Sequence, residues 1–319
     1  MSIRALRPTD VVAVSSLLGS PNVVAVAAHA WPFADPEGGG ASLLDLTAAS
    51  FQPGSTRRRV WIATDRGKAV GVAGVRSRAG GLVWDLELLD VLTHAEDEAV
   101  QLCEALASAA EVRAARRVLL MANGTEWSQR VARRAGFERY TGATLFRLAP
   151  GFRAPKGDAF EARPRLRSDE QPLYQLYSAA VPPSVRAAEA MTIDEWQGLH
   201  RGSRAWRPTL AGARQQLVWE LGASLAGWME LTFGDRSQFV DLMVHPKYAD
   251  AVDRFVAYAL HECSPKAPVY VLARDYAAGL APALHTVGFA DVGLFDLFVK
   301  MLAQRVPERA LATATLVGG

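Results

Sequence analysis

Apolar and polar positions alternate in short runs that end at proline, glycine or charged turns, and twice along the chain such runs give way to a helical period. Ile3–Arg7 alternates and stops at Pro8, which predicts a strand, and Thr9 or Asp10 then caps an apolar helix over Val11–Leu18. Residues 19–55 read as an irregular insert containing a helix at Leu43–Ala49. A meander of three strands follows at Val60–Thr64, Ala69–Arg76 and Leu82–Leu92, with turns at Asp65-Arg66-Gly67-Lys68 and Ala79-Gly80-Gly81. A helix is predicted over Glu96–Val112, with Ala99, Leu102, Cys103, Leu106 and Ala109 on one face. A buried-type strand at Val118–Ala122, a helix at Glu126–Arg134 and a last strand at Tyr140–Leu148 complete the run.

The second half repeats this order. Phe160–Leu166 reads as a strand, and Ser168 or Asp169 caps a helix containing Leu173, Leu176 and Tyr177. An irregular insert spans 181–213, and the meander returns as Gln216–Glu220, Ser224–Phe233 and Gln238–His245. The long helix is predicted over Ala249–Glu262, followed by a strand at Val269–Ala273, a helix at Ala277–Thr286 and a strand at Val292–Leu302. RVARRAGF at 130–137 and PALHTVGF at 282–289 set a Gly-Phe pair before the last strand of each half. A repeat of this length predicts two domains of one type, 1–148 and 160–304, joined by a Pro/Gly-rich linker at 149–159 and followed by a tail at 305–319.

At 319 residues the chain exceeds one ordinary core, which agrees with two domains. A net charge of +2 argues against nucleic acid or an anionic membrane as partner. Arg57–Arg58–Arg59, the densest basic run, reads as a solvated strand entry. Cys103 and Cys263 occupy matching places and read as small core residues, which suits a reducing cytoplasm. The N-terminal residues have no signal-like apolar core and no run is long enough to span a bilayer, so a cytoplasmic protein is expected.

The order strand–helix, insert, three strands, helix, strand, helix, strand, with Gly-Phe before the last strand, resembles the GNAT superfamily of acyl-CoA-dependent N-acyltransferases. The resemblance covers nearly the whole chain, twice, and is to tandem GNAT proteins such as those related to mycothiol synthase. It implies an α/β class with an α+β mixed sheet in each of two tandem GNAT domains. It also implies acetyl-CoA or another acyl-CoA as acyl donor, and a small-molecule amine as acceptor. In that family the third meander strand ends in a Val-x-Pro-like sequence, and a basic glycine-rich loop opens the long helix. Glycines let backbone N–H groups approach the diphosphate, and the helix N-terminus adds partial positive charge. The second half keeps Val244-His245-Pro246, followed by KYADAVDRF, which supplies Lys247 and no glycine. The resemblance places cofactor contacts here on Val244, Lys247, Tyr248, Ala249, Asp250 and Ala251. The first half has DVLTHAEDEAV instead, where Glu96, Asp97 and Glu98 suit a helix start and repel a phosphate. It is therefore expected not to bind coenzyme A in the usual way. The family's proton-donating tyrosine stands four residues before the Gly, where this chain has Ala132 and Leu284, which have no proton to give. Tyr276, near the start of the same helix, is the substitute, or else a packed or capping aromatic.

Charged residues inside apolar strands are the remaining candidates for chemistry. Glu87 in VWDLELL and Asp241 in FVDLMV each suit the base that takes a proton from the acceptor amine, or a water-facing sheet position; Glu220 and Glu230 admit the same two readings. His245 lies where an acyl carbonyl would be held, or is a hydrogen-bonded structural residue. The aromatic residues of the inserts, His29, Trp31, Phe33, Trp196, His200 and Trp206, suit an acceptor pocket, a contact between the halves or a homodimer surface. No metal-ligand spacing, nucleophile elbow or nucleotide fingerprint is present. Two functions follow: an N-acyltransferase working from its second half, or a non-catalytic GNAT-fold pseudoenzyme that binds a small molecule or a protein. An acyl-CoA decarboxylase is a third, weaker use of the scaffold.

Overall fold

A computed structural model of the chain describes residues 2–27, 58–112, 115–155, 161–190, 192–201, 213–222, 224–234, 237–277 and 279–303. The predicted helix at 43–49, the first insert's aromatics and the tail lie outside them. The first half runs β1 (Ser2–Ala5), α1 (Val11–Leu18), β2 (Val23–Ala25), β3 (Arg58–Asp65), β4 (Lys68–Arg78), β5 (Val83–Leu92), α2 (Glu96–Val112), β6 (Arg117–Asn123), α3 (Glu126–Arg134) and β7 (Glu138–Leu148). The second runs β8 (Ala162–Pro164), α4 (Glu170–Ala180), α5 (Pro183–Glu189), α6 (Ile193–Arg201), β9 (Arg214–Leu221), β10 (Ser224–Phe233), β11 (Gln238–Val244), α7 (Val252–Glu262), β12 (Val269–Arg274), α8 (Leu280–Thr286) and β13 (Ala290–Met301).

The meander forms as the turn chemistry dictates. Arg66 and Gly67 both take positive φ, 48° and 80°, as a two-residue hairpin turn between right-twisted strands requires. Apolar residues then sort by face. In the first half Leu102, Cys103 and Leu106 of α2 and Val131 of α3 pack under Trp84, Leu86 and Leu89, while Val14 and Leu17 of α1 cover Ile62, Val72 and Leu88 on the other face. In the second half α7 and α8 pack against Met229, Val240 and Val271, and α4 to α6 cover Val218, Leu225 and Trp228. Burial pushes the Cys103 and Cys263 thiols up to about 12, as core-facing residues require.

Three features depart from the expected elements. The insert at 181–213 contains α5 and α6, and the insert at 19–55 contains β2. Residues 246–251 form a 3-10 turn, so α7 begins at Val252 rather than Ala249. The two halves also share one sheet, in the order β1-β3-β4-β5-β6-β13-β7-β12-β11-β10-β9-β8. β13 pairs with β6, setting Phe298 opposite Leu120, and β7 pairs with β12, setting Phe146 opposite Val271. The last strand of each half thus completes the other half's sheet.

A buried ion pair ties the second insert to the first half. Arg117 of β6 lies 2.7 Å from Glu195 of α6, with side chains 3% and 5% exposed. Arg117 Nη1 also donates to the Ala187 and Ala188 carbonyls of α5, at 3.0 and 3.1 Å. Among the described residues no helix is long and apolar enough to cross a membrane.

Candidate active site

β11 and β12 pair in parallel only over Gln238–Val240 and Val269–Val271, and then part. Beyond Val240, β11 stays paired to β10 on its other side, as far as Val244 opposite Gly227. His245 N–H bonds Ala226 O on the β10 side, so by alternation the backbone groups of Leu242 and Val244 face the opening. The opening leads into a cavity of about 270 Å³. One wall is apolar, with Val244, Pro246, Val252, Phe255 and Leu280, and the other carries Tyr177, Glu189, Trp228, Asp241, Arg274 and Tyr276.

Asp241 is the centre of the polar wall. Its carboxylate is open to the cavity yet lies deep within the protein, so burial and then the charge of Glu230, its cross-strand neighbour, push its pKa up to about 6. Arg274 opposes that rise, and the Leu242 N–H donates to the carboxylate. Glu230 is itself held by Arg214 and Gln216. Tyr276 keeps its proton, because burial, and then Glu189, raise its pKa. Glu189 Oε1 accepts a 3.0 Å hydrogen bond from Tyr140 OH and stands 3.9 Å from Arg274 Nη2.

Of the residues singled out by sequence, Asp241, Tyr276, Val244 and Ala249 line this cavity, as does His245. Lys247, Tyr248, Asp250 and Ala251 do not. The Lys247 N–H donates to His245 Nδ1 at 3.1 Å and the Tyr248 N–H to His245 O at 2.8 Å. The Tyr248 ring packs on Trp219, and Ala251 is buried. The loop expected to cradle a diphosphate therefore has its first two N–H groups in use. Glu87 lies in the other half, 2.7 Å from Arg76 Nε. Sequence reasoning missed Arg274 and Glu189. Arg274 carried the same signal as Asp241, a charge ending the apolar run VYVLAR.

The equivalent opening in the first half is closed by the chain itself. β5 and β6 pair in parallel from Val83–Arg117 to Leu86–Leu120 and then part. β2 fills the gap, setting Val23–Ala25 antiparallel to Leu92–Asp90, while Ala27 bridges to Ala122. Val26 N–H donates to Leu89 O at 2.8 Å, and Asn123 N–H to Val26 O at 2.9 Å. Glu96 and Asp97, at the start of α2, bind Arg134 at 2.9 and 2.6 Å. Asp90, opposite Ala25, is 2% exposed, and burial pushes its pKa up to about 7. Stability linked to Asp90 is fully present below 3.8 and is lost as the pH rises through about 7. Asp90→Asn is accordingly expected to raise the melting temperature above about pH 7 and to leave it unchanged in acid, read by thermal melts across pH.

A duplicated mixed sheet that opens between two parallel strands defines the fold class. No protein-family model matches the sequence, and no curated protein matches it. Solved structures do. A GCN5-related N-acetyltransferase from Sphaerobacter thermophilus is similar over 94% of this chain and 95% of its own, with a TM-score of 0.53 at 15% identity. A tandem GNAT protein from the clavulanic acid biosynthesis pathway is similar over 96% and 99%, with a TM-score of 0.54 at 14% identity. A conserved protein of unknown function from Staphylococcus epidermidis covers 76% of this chain and 94% of its own, with a TM-score of 0.52 at 10% identity. The chain has the tandem GNAT fold expected from its element order and its two Gly-Phe pairs.

Proposed function

We infer that the second of two GNAT units, 160–304, is an N-acyltransferase that moves an acyl group from acyl-CoA to a small amine, and that the first, 1–148, is a non-binding partner. The observation that carries this reading is Asp241, a carboxylate with a pKa near 6, standing at the open edge of β11. The fold it shares with a GCN5-related N-acetyltransferase supports the same reading. When bound, acyl-CoA supplies the acyl group, activated as a thioester. Val244 N–H and C=O face the opening and would hold the arm of that molecule as a further strand would be held. Asp241, ionised above about pH 6, takes the proton that the amine gives up on forming the amide. Tyr276, kept protonated by burial, is a hydroxyl on this wall that can return a proton to the thiolate. Leu284, at the family's usual tyrosine position, is buried in the core and takes no part.

Isothermal titration with acetyl-CoA tests the assignment. One site per chain is expected, because β2 closes the first opening. Two sites would overturn the role given to β2. No heat at millimolar acetyl-CoA would favour the second reading, a GNAT-fold binding protein without turnover, for which the engaged N–H groups of Lys247 and Tyr248 speak.

A further inference from the structure

Among the described residues Arg274 is the one arginine or lysine on the polar wall, and the acyl-transfer reading gives it no contact with a substrate. Its guanidinium makes no side-chain hydrogen bond among the described residues, and Nη1 is buried without a partner. Glu189, the nearest carboxylate, is 3.9 Å from Nη2, beyond hydrogen-bond reach, and is engaged by Tyr140. A guanidinium offers a planar fork of donors that matches a carboxylate. The side chain is 29% exposed and lines the cavity. Tyr177 OH, on the same wall, is also buried and unpartnered among the described residues.

The wall therefore sets unsatisfied donors on Arg274 and Tyr177 beside a proton acceptor on Asp241. A carboxylate arriving alone would meet Asp241 and Glu189 and be repelled. A carboxylate that brings its own ammonium adds no net charge and can place each charge beside its opposite. The remaining surface is apolar and aromatic, from Trp228 and Met243, and the volume of about 270 Å³ is small for a shared donor and acceptor site.

We propose that the acceptor is a compact amino acid, with its carboxylate bound by Arg274 and its amine directed to Asp241. This rests on the acyl-transfer reading for the identity of the reacting group. The test is calorimetry with L-leucine, L-methionine and L-phenylalanine against the amines formed by removing their carboxyl groups, each with and without coenzyme A. At least one amino acid is expected to bind about 10–100-fold more tightly than its own amine. Arg274→Gln is expected to erase that preference, and Arg274→Lys to restore part of it, with melting temperatures confirming that both variants fold. Equal or tighter binding of the amines, or no binding of any amino acid, overturns the proposal. Titration of acetyl-CoA on the same samples separates the two ideas. Binding of acetyl-CoA with a preference for bare amines sinks only the amino-acid assignment, and the reverse pattern sinks only acyl transfer.

Discussion

Asp241→Asn is expected to lower the turnover of acyl transfer by about 10²–10⁴-fold, the usual contribution of a positioned general base. Asparagine keeps the shape and the hydrogen bond from Leu242 as acceptor, but cannot take up a proton at neutral pH. The rate of the unaltered protein should rise with pH through about 6 and level off above it, since only the ionised carboxylate accepts a proton. That limb should vanish in the variant. Folding should not suffer. The raised pKa means that ionised Asp241 costs stability, which is fully present below 3.8 and lost as the pH passes about 6. The neutral variant is therefore expected to melt no lower than the parent above that pH, and its acetyl-CoA titration should be unchanged. A variant that folds, binds and turns over at the parental rate would remove Asp241 from the chemistry.

The largest loss of stability is expected from Arg117→Met. The change takes from Glu195, 5% exposed, its nearer arginine at 2.7 Å, leaving Arg116 Nη1 at 3.5 Å, and takes the Arg117 donor from the Ala187 and Ala188 carbonyls. Breaking a buried pair from one side costs about 3–5 kcal/mol, or roughly 10 °C in melting temperature. Adding Glu195→Leu should recover much of it, because removing both charges also removes their desolvation. The effect should reach the site, since α5 carries Glu189 on the cavity wall two residues beyond Ala187. A fall of less than about 1 kcal/mol would show that the pair is not a structural tie.

The repeat was legible in the sequence because each half states the same order of periods and ends it with the same Gly-Phe pair. Asp241 stood out as a charge inside the apolar strand FVDLMV, and Tyr276 by its place near the start of the helix before the second Gly-Phe pair; both line the cavity. Less was readable where partners decide the outcome. Val23–Ala27 is a plain apolar run, but only its fit between β5 and β6 makes it a strand. Helices α5 and α6 are short and held by packing against the first half, so periodicity alone did not separate them from a loop. The exchange of β7 and β13 left no trace, because alternation fixes which face a residue takes and not which strand lies beside it. His245 shows the same limit: it was weighed as a carbonyl holder or a structural residue, and it caps the backbone of Lys247.

The exchanged strands also set a timetable for synthesis. β6 ends at residue 123, but its neighbour β13 begins only at residue 290. At translation rates of about 5–20 residues per second, β6 waits roughly 10–30 s with an open, apolar edge. The first half gains its final β6 neighbour only once β13 is made, so the nascent chain carries β6 without that neighbour through about half of its own synthesis. Slow codons or a stall between β7 and β13 should therefore harm yield more than the same delay placed anywhere earlier, and a chaperone that shields strand edges should matter most in that interval.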